Sequence, residues 1–102
     1  MTKDPQTAAT VKEILDLIKN ISPGKSVELR VPPYGAIQCV VGGNHRRGTP
    51  PNTVEMSGQT LVRLINEPSL WSDLCESGEV RASGLLSDLS TVFTQAAAKY
   101  RA

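Results

Sequence analysis

Apolar residues first recur at a helical interval. Val11, Ile14, Leu15, Ile18 and Ile21 share one face, and Lys12, Glu13, Asp16, Lys19 and Asn20 fill the other. This predicts an amphipathic helix started by the Asp4-Pro5 cap and stopped at Ser22-Pro23-Gly24, with Thr10 and Glu13 offering a second start as a capping box. From Ser26 the period drops to two. Val27, Leu29 and Val31 alternate with Glu28 and Arg30, as in a strand with one wet side. Pro32-Pro33 ends it. The run Ala36 to Val41 is apolar apart from Gln38, which predicts a strand buried on both faces inside a sheet.

Gly42 to Pro51 is irregular, broken by glycine and proline. Alternation returns at Asn52 to Met56, with Val54 and Met56 on one face. Ser57 caps a helix carrying Leu61, Val62, Leu64 and Ile65, which closes at Glu67-Pro68. Ser69 introduces a shorter one with Leu70, Trp71 and Leu74, and Gly78 is placed to end it. Glu79 to Ser83 reads as a last strand, with Val80 and Ala82 inward. A closing helix begins at Ser87-Asp88, with an apolar stripe of Leu85, Leu86, Leu89, Val92, Phe93, Ala96, Ala97 and Tyr100.

At 102 residues the chain is one domain, 1–102, with one modest core. Eleven basic residues against ten acidic ones leave a net charge of +1, without the basic stripe that nucleic acid requires. Aromatics at 4% give little surface for base stacking. No apolar run approaches a membrane span, and the first residues lack the apolar stretch of a signal peptide. A cytoplasmic, reducing compartment is the expectation. Cys39 and Cys75 form no metal or redox motif, even with the single His45, and would pair only if the fold brought them together. No metal, cofactor or catalytic constellation emerges. His45, Arg46 and Arg47, among glycines, form a candidate anion site for phosphate or carboxylate; the same residues suit a solvated basic loop.

Strands grouped with helices set apart from them imply an α+β two-layer fold. Within it, TVEMSGQTLVRLIN followed by SLWSDLCESGEVRASG resembles the C-terminal half of the sterol carrier protein domain. Val54, Ser57, Leu61, Leu64, Ser77, Gly78, Val80 and Gly84 take the places of that family's pattern. SPGKSVELRVPPYGAIQC and HRRGTPPNTVE resemble its small bacterial branch. The resemblance runs from Ser22 to the C-terminus. It implies a mainly antiparallel sheet of four to five strands covered by helices. The family carries a third strand where this chain has only Gly42 to Pro51, so the sheet has four strands or a very short fifth.

The resemblance also implies a non-enzymatic carrier for a hydrophobic small molecule (a lipid, acyl chain or sterol-like compound). The candidate lining residues are Ile37, Cys39, Leu61, Leu64, Ile65, Trp71, Leu74, Leu89, Val92 and Phe93. The same residues would also fill a solid core. The alternative is a structural or interaction domain without a cavity, able to form a homodimer through its closing helix, with the His-Arg-Arg loop as an anion site.

Overall fold

The computed structural model describes residues 4–42 and 52–101. Its elements run α1 (Pro5–Ile21), β1 (Val27–Val31), β2 (Gly35–Cys39), β3 (Asn52–Met56), α2 (Gly58–Asn66), a 3-10 turn (Pro68–Leu70), α3 (Trp71–Ser77), β4 (Val80–Ser83) and α4 (Ser90–Arg101). Asp4 caps α1, its carboxylate accepting the Thr7 N–H at 2.9 Å and the Thr7 hydroxyl at 2.7 Å. Helix α1 begins there and not at Thr10, whose hydroxyl instead donates to the Gln6 carbonyl. Ser57 caps α2 by accepting from the Thr60 N–H.

The sheet order is β2-β1-β3-β4. β1 pairs antiparallel with β2, and β3 antiparallel with β4, but β1 and β3 run parallel, so the sheet is mixed. Alternation decides its faces. Val27, Leu29, Val31, Val54, Met56 and Val80 point to one side, where α1, α2 and α4 pack against one another. The other side carries Glu28, Arg30, Thr53, Glu55 and Arg81, none of them buried. There Arg30 pairs with Glu28 and Arg81 with Glu55, each at 2.9 Å.

Four expectations need correction. Ser69 does not cap α3: it lies inside the 3-10 turn, and Leu70 precedes the helix without a side-chain cap bond. Among the described residues β2 pairs only with β1 and stands at one edge of the sheet, with Gly35, Ala36 and Gln38 exposed; the very short fifth strand considered before β3 falls on 43–51, outside the described residues. The apolar run then leaves the strand at Val40, which adopts a left-handed φ of 69°, and Val41 stands 78% exposed. Ala82 lies beyond the cover of the helices and is exposed, although Val80 is buried. Leu85 and Leu86 belong to the turn after β4 and not to the helical stripe. Leu85 is fully exposed, and α4 starts only at Ser90, whose N–H donates to Asp88.

Candidate functional site

Between sheet and helices lies one continuous apolar layer, and the ten lining candidates converge on it. Leu61, Leu64 and Ile65 follow the three- and four-residue spacing of α2, so all three face the sheet. Trp71 and Leu74 come from α3, Val92 and Phe93 from α4, Leu89 from the residue before α4, and Ile37 and Cys39 from the edge strand β2. Eight of the ten are buried; Ile37 and Val92 are half-buried against the same cluster. The rings of Trp71 and Phe93 meet with centroids 5.9 Å apart at 31°.

Sequence reasoning left out of the site the residues that close this layer. Val11, Ile14, Leu15 and Ile18 of α1 and Leu29 of β1 belong to the same cluster. Their periodicity marked them as a buried face. Nothing in it said that α1 lies over the same side of the sheet as α2 and α4.

The layer holds little chemistry. Burial pushes the Cys39 thiol up to about 11, which keeps it protonated and unreactive at neutral pH. Cys75 at the margin is also raised, by burial first and then by the negative charge of Asp88. Both thiols are free. Of the buried polar side chains, Thr60 lies in the first turn of α2, Ser87 in the turn after β4 and Asn52 at the start of β3: Ser57 donates to Thr60, Ser87 donates to the Gly84 carbonyl, and Asn52 donates to the Ser26 carbonyl. Among the described residues no three acidic, His or Cys side chains come together as a metal site. The candidate anion residues His45, Arg46 and Arg47 lie outside the described residues.

Four open surface depressions, of about 400 to 540 Å³, are formed by described residues. In the depression beside α2 the charged groups are already paired, Arg63 with Glu79 and Arg81 with Glu55. None of the ten apolar candidates lines any of the four. No helix among the described residues is long and apolar enough to cross a membrane.

The family model described as "Bacterial SCP ortholog" matches residues 3–94. The chain belongs to this bacterial sterol carrier protein family. The fold of this family member is similar to a solved structure titled UbiJ-SCP2 ubiquinone synthesis protein. The two are 20% identical, with 100% of this chain and 98% of the other covered and a TM-score of 0.55. It is similar as well to the solution structure of sterol carrier protein domain 2 of Helicoverpa armigera, at 18% identity, 96% and 95% coverage and a TM-score of 0.51. At these identities the likeness is one of fold. Comparison with curated proteins yields no match.

Proposed function

We propose that this bacterial sterol carrier family member is a non-enzymatic binding or carrier module for a hydrophobic small molecule: a lipid, an acyl chain or a sterol-like compound. One observation carries the reading. In a member of this family, all ten candidate side chains fall in a single apolar layer between sheet and helices, where apolar ligands are ordinarily held. Among the described residues the layer supplies apolar contact, which suits carriage of an apolar molecule.

Native mass spectrometry of the protein purified from a bacterial host, followed by titration with a fluorescent fatty acid, tests the reading. A co-purifying lipid or saturable binding of about one fatty acid per chain is expected. A lipid-free protein with no fluorescence response sinks it. A second reading draws on the burial of eight of the ten candidates at 7% exposure or less. In it the core is solid, and the domain serves as an interaction module.

A further inference from the structure

Resting on the carrier reading, we infer that the groove between the C-terminal ends of α1 and α4 holds the anionic head of the ligand, and that the ligand is an acyl carboxylate. The groove is open, measures about 540 Å³ and is lined by Leu17, Asn20 and Ile21 of α1 and by Gln95 and Lys99 of α4. Residues three and four apart on a helix share a face, so each helix builds its wall from one stripe. The volume is ordinary for a small-molecule site, about 300 to 1,000 Å³. Of the four depressions formed by described residues, this one has no carboxylate in its wall: Glu55 lines two of the others, and Asp16 the third.

Charge selects the occupant. Among the described residues the Lys99 ammonium has no ion-pair partner, and the exposed amides of Asn20 and Gln95 make no side-chain hydrogen bond. Asp16, in the adjoining depression that Asn20 also lines, is taken by Lys12 at 2.9 Å, while Lys19 beside it adds a second cation without an ion pair. A lysine in a last helical turn also complements the helix dipole. Lys99, however, shares its groove with Leu17 and Ile21, which are half-buried and pack on the cluster that holds Ile14, Ile18 and Phe93. One ammonium, two amides and an aliphatic wall are what a carboxylate on an alkyl stem requires; the hydroxyl of a sterol leaves the charge unanswered. Phe93 and Lys99 both lie on α4, separated by a rise of about 9 Å. An extended dodecyl chain is longer than that, so a carboxylate held at Lys99 leaves its chain able to reach the apolar layer at Phe93.

Calorimetric titration of the full chain with dodecanoate and with dodecanol, which share a tail and differ in charge, tests this. Wild type is expected to bind dodecanoate the more tightly, and added salt should weaken dodecanoate alone. Lys99→Glu sets like charges together and should weaken dodecanoate about fivefold or more while leaving dodecanol unchanged. Lys99→Arg keeps the cation and should keep the preference. Circular dichroism checks that both variants fold. A second arm needs no variant: on adding dodecanoate to wild type, backbone amide shifts should move at Leu17 to Ile21 and at Gln95 to Lys99. Equal affinity for the two amphiphiles, a dodecanoate affinity indifferent to Lys99→Glu, or a loss of both amphiphiles in that variant overturns the head-group site and leaves the carrier reading standing. A wild-type chain that binds neither amphiphile overturns both.

Discussion

Asn52 does at one position what no periodicity announces. Its side chain is 4% exposed and closes two segments at once: the amide donates to the Ser26 carbonyl at 2.8 Å, and its oxygen accepts the Leu86 N–H at 3.0 Å. It therefore ties the start of β1 to the turn that follows β4. Gly84 belongs to the same device. Its φ of 109° disfavours any side chain, and an added Cβ would strike Asn52. Asn52→Ala leaves both backbone groups without partners, and is expected to cost about 2 to 3 kcal/mol in urea denaturation. Asn52→Asp keeps the acceptor for Leu86 but turns a carboxylate toward the Ser26 carbonyl. Its loss should shrink in acid, where a protonated carboxyl can donate again. An Asn52→Ala variant as stable as wild type would remove the residue from any such role.

At the scale of elements, local signals carried most of the fold. The caps Asp4, Ser57 and Gly78, the stop at Glu67-Pro68 and the alternation of β1 and β3 are dictated by neighbours in sequence, and they stand where those signals put them. What failed depends on distant partners. Whether β2 is central or an edge is decided by what pairs with it, so an apolar run could not tell the two apart. Leu85 and Leu86 fit a helical stripe by spacing, but the Asn52 bond to Leu86 N–H holds them in a turn. The candidate site was legible as a list of buried residues for the same reason that its function was not: lining a pocket and filling a core require the same side chains.

The acidic cap Asp4 and Asp88, in the turn before α4, add a pH dependence at this scale. Hydrogen bonds from the Thr7 hydroxyl and backbone N–H hold the Asp4 carboxyl below the ordinary carboxylate range, and those from the Ser90 hydroxyl and backbone N–H lower Asp88 likewise. Below about pH 4 the unfolded chain binds the protons first. The stabilisation is therefore complete above that range and is lost as pH falls through the lower folded values. The denaturation midpoint should be level from neutral pH down to about pH 5, then decline, with a shallower decline in Asp4→Asn. An unchanged acid slope in that variant would show that the cap does not contribute.

For the whole molecule, the question is whether the apolar layer yields to a ligand, and Phe93 is the place to ask it. The ring is fully buried, packs on Trp71 and belongs to α4, which packs against α1 and α2. Phe93→Ala should cost about 3 to 5 kcal/mol, since the surrounding α1, α2 and α3 side chains relax only in part and leave an apolar void. A carrier and a solid domain then diverge. If the layer is where an acyl chain goes, dodecanoate should occupy that void without first displacing the ring. Its stabilising effect, about 2.7 kcal/mol at a hundredfold excess over its dissociation constant, should be reached at lower concentration in the variant than in wild type. Thermal unfolding of both proteins across a dodecanoate series measures this directly. Equal stabilisation of the two would place the fatty acid elsewhere on the surface. A variant that loses its several kcal/mol and recovers none with dodecanoate would mean that the layer between sheet and helices is core alone.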